Sequence, residues 1–311
     1  MKCVVTGGAG FIGSHLVDRL LEMENDVVVI DNLSGGKLEF IEGHFPDDHF
    51  NFVKLDLSCD QLIKELKGAD IVFHLAANPD VKSGADNTKV PLHQNIIASF
   101  NVLESMRTFG VKNIAFTSTS TIYGEATVVP TPEDYGPLMP ISLYGASKLS
   151  SEALISSFCH TFDMKSWLYR FANIIGDRST HGVIYDFVSK LRSDPEKLEI
   201  LGDGRQSKSY LHVNDCVEAM LYTVEKSNAP VNIYNIGSED RIDVTSIARI
   251  VAGEMGLNGV KLEYTGGARG WKGDVPFMCL SIEKIKRLGW KPQYNSEESV
   301  RMCAKSLLTA D

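Results

Sequence analysis

Tyr144 and Lys148, in the run Leu143-Tyr144-Gly145-Ala146-Ser147-Lys148, set a phenol and an ammonium four positions apart. Residues at that spacing share a helix face, so both groups can enter one cleft. A positive charge nearby favours phenolate and is expected to lower a tyrosine pKa that otherwise lies at about 10. Tyr144 then becomes an acid/base group usable near neutral pH. Upstream, Thr117-Ser118-Thr119-Ser120-Thr121 is an unbroken run of hydroxyls. A Tyr-x-x-x-Lys alone is common on solvated helix faces, and the rest of the chain decides its meaning.

A dinucleotide turn opens the chain. Cys3-Val4-Val5-Thr6 reads as a short buried strand, and Gly7-Gly8-Ala9-Gly10-Phe11-Ile12-Gly13 leads into a helix with Leu16, Val17, Leu20 and Leu21 at helical spacing. Gly7, Gly10 and Gly13 fit the pattern in which one glycine bends the chain, one lets backbone approach a pyrophosphate, and one lets helix and strand pack closely. Backbone N–H groups at the helix start then hold the phosphate charge. A second strand, Asp26 to Ile30, ends in Asp31, at the distance this fingerprint requires of a ribose-binding carboxylate. A carboxylate there repels a 2′-phosphate, so NAD is expected over NADP.

Composition points to a soluble enzyme of about two domains, from 311 residues. A formal net charge of −9 argues against nucleic-acid or anionic-membrane partners. No apolar run approaches the about 20 residues of a membrane span, and no signal-peptide layout precedes the first strand. The six cysteines form no C-x-x-C pair, which fits reduced structural thiols and a cytoplasmic location. No metal site is expected. His44, Asp47, Asp48 and His49 crowd into one segment that reads as a solvated turn, and His74 reads as a packed core imidazole.

The elements that position these residues alternate. Strands are expected at Phe52–Leu55, Ile71–Leu75, Ile114–Thr117 and Trp167–Phe171, with helices near 60–67, 90–109 and 145–162. Such alternation predicts an α/β fold, a Rossmann-type doubly wound parallel sheet whose ligands lie outside the strands' carboxyl ends. Asp31, Asp56, Ala76-Ala77, Thr117–Thr121 and Asn173 fall at those ends. Further helices are expected at 184–192, 214–226, 244–255 and 281–288. The expected division is a dinucleotide domain over 1–173 and a smaller mixed α/β substrate-binding domain over 174–311, with part of about 205–238 returning to the first.

Taken together, the motifs resemble the NAD-dependent sugar-nucleotide epimerase/dehydratase family, the extended short-chain dehydrogenases/reductases. The resemblance covers nearly the whole chain. It rests on Thr6 to Gly13, Asp31-Asn32-Leu33-Ser34, Asp56-Leu57, His74-Leu75-Ala76-Ala77, Thr117 to Gly124 and Tyr144 to Lys148. Arg170-Phe171-Ala172-Asn173, Gly202-Asp203-Gly204, Tyr210-Leu211-His212-Val213, Asn235-Ile236-Gly237 and the stretch from Arg269 to Asp274 extend it. Within the family, the 4-epimerases of UDP-glucose are the most similar.

That resemblance implies roles. Tyr144 is the base for a sugar 4-hydroxyl, Thr119 hydrogen-bonds the 4-oxygen, and Lys148 holds the nicotinamide ribose. NAD contacts are implied for Gly7, Gly10, Phe11, Ile12, Gly13, Asp31, Asn32, Ser34, Gly35, Asp56, Leu57, Leu75, Ala76, Ala77 and Ala172, besides Tyr144 and Lys148. Asn95 admits two readings, a cofactor contact or a buried amide satisfying backbone. Substrate contacts are implied for Asn173, Val183, Lys208, Arg269 and Asp274, in addition to Thr119 and Tyr144. Lys208 departs from the arginine of better-known members, and a lysine meets phosphate as a point charge without the bidentate fork. His181 is a possible sugar contact, Trp271 either covers uridine or anchors its loop, and Met278 lies where bulk limits the group on sugar carbon 2.

The implied activity is UDP-glucose/UDP-galactose 4-epimerisation. Dehydratases of the family carry Asp-Glu after the catalytic threonine, and UDP-glucuronate decarboxylases carry Glu two residues after it. Here those positions are Ser120 and Thr121, and a hydroxyl does not replace a carboxylate as a strong base. UDP-N-acetylhexosamine or UDP-glucuronate epimerisation, with Lys82 or Ser179–Thr180 meeting the latter's carboxylate, stand as alternatives, as do a dehydratase and a non-enzymatic NAD-binding regulator. The family also implies a homodimer, through helices near 90–109 and 145–162 presenting Ile97, Leu103, Ala153, Leu154 and Phe158.

Overall fold

A computed structural model describes residues 1–59, 62–80, 87–270 and 274–309. In chain order the elements begin with β1 (Lys2–Thr6), α1 (Phe11–Glu22), β2 (Asp26–Asp31), β3 (Phe50–Lys54), β4 (Ile71–His74), α2 (Lys89–Pro91), α3 (Ala98–Phe109), β5 (Asn113–Thr119), α4 (Leu143–Phe162) and β6 (Lys165–Phe171). They continue with β7 (Asn173–Ile175), α5 (Val183–Ser193), β8 (Lys197–Ile200), β9 (Ser207–Lys208), β10 (Tyr210–His212), α6 (Val213–Lys226), β11 (Val231–Ile236) and β12 (Ile242–Asp243). Last come α7 (Val244–Glu254), β13 (Lys261–Tyr264), β14 (Phe277–Met278), α8 (Glu283–Arg287) and α9 (Ser296–Thr309).

The main sheet has seven strands in the order β11-β6-β5-β4-β1-β2-β3. The pairings of β3 with β2, β2 with β1, β1 with β4, and β4 with β5 are parallel. Strands covered on both faces need apolar side chains in both directions, and Val4, Val5, Val27, Val29, Ile30, Val72 and Phe73 supply them, all buried. The strand order reverses between β1 and β4, which places the topological switch point at Thr6 and His74, their last residues. The doubly wound expectation is met.

By internal contacts the chain forms two units, one of Met1–Gly124, Leu138–Arg170 and Met220–Tyr234, the other of Glu125–Pro137, Phe171–Ala219 and Asn235–Asp311. The core of the first lies between the sheet and α3 and α4, around Val102, Leu103, Met106, Ile114, Phe116 and Ile155. The core of the second joins α5, α7 and α9 to β8, around Phe187, Leu191, Leu198, Ile247, Val251 and Val300. Its strands are short and mixed: β12 pairs antiparallel with β9 and β14 parallel with it.

Two sequence expectations are corrected. The helix expected at 60–67 is, within the described residues, one 3₁₀ turn over Lys64–Leu66, closed by Gly68 at φ +74°. Among the described residues there, Ile63 and Leu66 alone are buried, few apolar groups to hold a longer helix. The helical stretch expected at 90–109 is present, as α2, a π-helical segment Leu92–Ile97 and then α3. Leu103 is fully buried in the core, so it does not belong to an outer face of α3.

Candidate active site

The glycine turn is held by contact as much as by conformation. Gly7 has φ +73°, and a Cβ there would lie 2.6 Å from the Ala76 nitrogen. A Cβ on Gly13 would lie 2.1 Å from the Gly7 oxygen, so the first turn of α1 sits directly on the loop. Gly10 caps α1 without a side-chain hydrogen bond, and no acidic residue occupies its first turn. The free N–H groups and dipole at that end suit an anion. The side-chain-free cradle, the uncapped helix start and the carboxylate ending β2 together fit an NAD pyrophosphate and ribose.

Asp31 is buried, its Oδ2 accepting from Ala9 N at 3.1 Å and its Oδ1 from Leu33 N at 2.8 Å. Burial raises its pKa, with the two backbone donors opposing. Asn32 Nδ2 donates to Asp56 Oδ2 at 3.1 Å, and its Oδ1 accepts from the Ser34 nitrogen at 2.9 Å. Asp56 is held below the usual carboxylate range by the Ser58 hydroxyl and backbone nitrogen. Leu57 is buried beside this pair, and Ser34 and Gly35 stay exposed on the loop after Asp31. Leu75, Ala76 and Ala77 follow β4, where Leu75 N donates to Thr6 O at 3.0 Å. All these residues belong to the first unit.

The reactive group is assembled at the end of β5 and the start of α4. Ser142 caps α4 through Gly145 N at 3.1 Å, fixing the turn from which Tyr144 projects. The Thr119 side chain faces the Tyr144 phenol and favours its ionised form. Thr119 Oγ1 also accepts from Thr121 N and Thr121 Oγ1, both at 3.2 Å. Lys148 is buried, its Nζ donating to Thr117 O at 2.7 Å and lying 4.7 Å from the Phe116 ring centroid. One turn on, Glu152 meets Arg170 in a buried ion pair of 2.8 Å, and Arg170 also donates to Tyr123 Oη at 3.0 Å.

The expected electrostatics of this pair are overturned. Burial pushes the Tyr144 phenol up to about 12, against the lowering effect of Thr119. Burial pushes the Lys148 ammonium down to about 7, with Glu152 opposing. The physical reason is desolvation: crowded by protein, each group favours its neutral form, and the lysine proton is directed at the Thr117 carbonyl. Tyr144 keeps some exposed surface while Lys148 keeps almost none.

Sequence reasoning passed over Ser118, whose Oγ is buried without a hydrogen-bond partner between two residues of the reactive cluster. Its place in the hydroxyl run was the available signal. Asn95 is buried and fully engaged: Oδ1 accepts from Asn78 N at 2.8 Å, and Nδ2 donates to Ser147 Oγ at 2.8 Å. That favours the buried-amide reading.

In the second unit, Asp274 organises a separate polar cluster. It is nearly buried, and its Oδ1 meets Lys208 Nζ at 2.6 Å while its Oδ2 accepts from Gly270 N at 3.0 Å. Arg269 Nη1 donates to Asp274 O at 2.9 Å, and its Nη2 pairs with Glu125. Asn173 Nδ2 donates to Ser209 O at 3.0 Å, beside Lys208, and Met278 is the β-partner of Lys208. Ala172 N donates to Ile236 O at 2.8 Å. Val183 stands apart, opening α5 and packing on that unit's core. Lys82 and Trp271 lie outside the described residues. His212 packs edge-on against Tyr294. His44 and His49 pair separately with Asp18 and Asp26, and no group of metal-ligating residues occurs among the described residues.

Residues 3–237 match the sequence profile of the NAD dependent epimerase/dehydratase family. The chain belongs to this family. The chain is 42% identical to a solved UDP-galactose 4-epimerase, with a TM-score of 0.89 and 99% of each chain covered. It is 33% identical to the UDP-glucose 4-epimerase of Thermotoga maritima, solved with UDP-glucose, again with a TM-score of 0.89 and 99% of each chain covered. The UDP-glucose 4-epimerase of Mycolicibacterium smegmatis is 32% identical, with 96% of each chain covered. Membership of an NAD-dependent family agrees with the cradle at Gly7–Gly13 and the carboxylate at Asp31. Among the described residues no helix is long and apolar enough to cross a membrane.

Proposed function

We propose that this protein is a UDP-hexose 4-epimerase interconverting UDP-glucose and UDP-galactose with bound NAD. The observation that carries the reading is the Tyr144 phenol set against the Thr119 side chain, with the buried Lys148 held on Thr117 O, at the carboxyl end of a sheet that opens with a dinucleotide turn. Bound NAD would supply the hydride acceptor for sugar carbon 4 and the hydride source for the return step. As the phenolate, Tyr144 Oη would take the 4-hydroxyl proton and later give it back, and Thr119 Oγ1, which accepts from Thr121 N and Thr121 Oγ1, would hold the 4-oxygen. Lys148, fixed at Thr117 O, would hold the nicotinamide ribose and set the field around the phenol.

Gly7, Gly10, Phe11, Ile12 and Gly13 would cradle the pyrophosphate. Asp31, Asn32, Ser34, Gly35, Asp56 and Leu57 would hold adenosine, and Leu75, Ala76, Ala77 and Ala172 the stretch towards nicotinamide. Ser118, with its unpaired hydroxyl, joins this set. Lys208, Arg269, Asp274, Asn173 and Val183 would hold the UDP portion. Anchoring the diphosphate while leaving the 4-keto sugar few contacts lets the ring turn its other face before reduction. Ser120 and Thr121, hydroxyls where dehydratases and decarboxylases carry carboxylates, support epimerisation over elimination.

A homodimer is part of this proposal. Leu92 and Phe100 are exposed on the helical stretch before and within α3, and Phe100 meets Phe158 of α4 edge-on at 6.3 Å. Such an apolar face on two adjacent helices suits a second copy.

NMR analysis of products from a panel of UDP- and dTDP-hexoses tests the activity. The expected result is UDP-galactose from UDP-glucose and the reverse. Loss of water or carbon dioxide, or failure on every UDP-hexose, overturns it.

A further inference from the structure

His74 ends β4 at the topological switch point and is completely buried, with both ring nitrogens engaged. Nδ1 lies 2.7 Å from Thr6 Oγ1 and Nε2 lies 3.0 Å from Ser99 Oγ. The tautomer follows from the next bonds. Ser99 Oγ spends its one proton on Asn95 O at 2.6 Å, so towards His74 it only accepts. The ring therefore carries its proton on Nε2, and Nδ1 accepts from the Thr6 hydroxyl. Burial, with the Lys148 charge adding, holds the imidazole down at about 3, so the ring is neutral throughout the working range.

Beyond Ser99 the direction of every bond is likewise fixed. Asn95 sits in the π-helical segment Leu92–Ile97, a geometry often found at functional sites. Its Oδ1 is taken by Asn78 N, so its Nδ2 is the group that donates to Ser147 Oγ at 2.8 Å. Ser147 in turn donates to Tyr144 O at 2.8 Å, in the first turn of α4. Ser151 reinforces the seam through Ser147 O at 3.1 Å. His74 also lies against the Phe116 ring, 5.6 Å between centroids, and Lys148 lies over the same ring.

We propose that His74 is a positioning residue for the reaction. By donating to Ser99, whose hydroxyl ties the Asn95 main-chain carbonyl while the Asn95 side-chain amide ties Ser147, it fixes the turn of α4 from which Tyr144 and Lys148 emerge. This rests on the proposed epimerase function. A neutral histidine in one tautomer gives each neighbour one role, so the chain cannot relax by exchanging donor and acceptor. A small error in the Tyr144–Thr119 geometry is costly in turnover, because alignment errors of about 1 Å cost about 100-fold.

The test uses three substitutions. His74→Phe keeps a ring against Phe116 and deletes both hydrogen bonds. His74→Gln restores a donor towards Ser99, and His74→Asn restores only the acceptor towards Thr6. Expected for His74→Phe is a kcat lower by about 10- to 100-fold, with KM and NAD content within about twofold of the parent. His74→Gln should recover most of that loss and His74→Asn little. If His74→Phe does not fold, Ser99→Ala, which cuts the chain while leaving the ring in place, should show the same kcat loss. Amide exchange over residues 140–150 is read in parallel, and should rise in the Phe and Asn variants and return in Gln. Parental kcat in the Phe or Ala variant overturns the proposal. So does an equal loss in all three His74 variants accompanied by rising KM, which marks a purely structural role. A parent inactive on every UDP-sugar, with the exchange pattern intact, sinks the epimerase reading and leaves the positioning chain standing.

Discussion

Lys148→Met in the nucleotide-free protein should stabilise the fold in acid and lose that advantage in alkali. The lysine is buried, and its pKa falls from 10.5 to about 7, chiefly through burial. The unfolded chain therefore binds the proton more tightly, so the lysine's contribution to stability is most unfavourable below pH 7 and fades as pH rises towards 10.5. At about 1.4 kcal/mol per pKa unit, the penalty is about 5 kcal/mol at pH 6 and about 1 kcal/mol at pH 10. Methionine has similar length and no charge, but it gives up the bond to Thr117 O, worth about 1–2 kcal/mol at every pH. The variant should thus exceed the parent by about 3 kcal/mol at pH 6 and match it or fall slightly below at pH 10. Thermal melts across that range should show a relative swing of about 4 kcal/mol, on the order of 8 °C. Epimerase turnover should collapse in the same variant, the pattern of a functional group kept against stability. A stability difference that stays flat with pH, or grows towards pH 10, refutes a desolvated ammonium at this site.

Four further outcomes are expected. Tyr144→Phe should retain fold and NAD while losing about 100-fold or more of turnover in the product assay, and near-parental activity would remove Tyr144 from proton transfer. NAD should outcompete NADP in equilibrium binding because Asp31 meets a 2′-phosphate with like charge; equal occupancy contradicts that role. Glu125→Gln frees Arg269 from its ion pair, so KM for the UDP-sugar should fall about two- to fivefold with kcat unchanged, by the scale of an exposed pair; an unchanged KM shows that the pair does not compete with substrate. Met278→Tyr, beside Lys208, should suppress turnover of N-acetylated UDP-sugars while sparing UDP-galactose, as compared by kcat/KM on both; parallel loss on both places the residue elsewhere.

How far the sequence reaches depends on whether a feature is local. The turn at Gly7–Gly13, the carboxylate closing β2 and the Tyr144/Lys148 face are all set within a few residues, and all were legible. Helix α9 was not: its buried stripe is Ser296, Ser299, Val300, Cys303, Ala304 and Leu307, most of it small or hydroxylic. Ser296 is buried there because Asp240 and Tyr210 supply its partners, and only the fold brings those near. The two-residue strands β9, β12 and β14 exist solely through one another. The sign of the Tyr144 shift was missed because spacing places a lysine nearby but does not reveal the burial that dominates the shift. Of the substrate cluster, Lys208, Arg269 and Asp274 were legible through resemblance, whereas the Glu125 partner of Arg269 lies far away in sequence.

The interleaving of the two units also bears on how the chain is made. β6 ends at Phe171, yet the strand that flanks it, β11, begins only at Val231. During synthesis at about 5–20 residues per second, that interval lasts about 3–12 s. Through it the nascent sheet ends in an unsatisfied row of backbone groups on β6, an edge that invites pairing with another nascent chain. Helix α6 is translated within the same interval, and Tyr169 Oη on β6 donates to its Met220 O at 2.9 Å, so an early contact shields the strand before its neighbour arrives. A chain ending before Val231 keeps that contact but leaves the backbone edge of β6 unpaired, and would aggregate instead of serving as a dinucleotide domain.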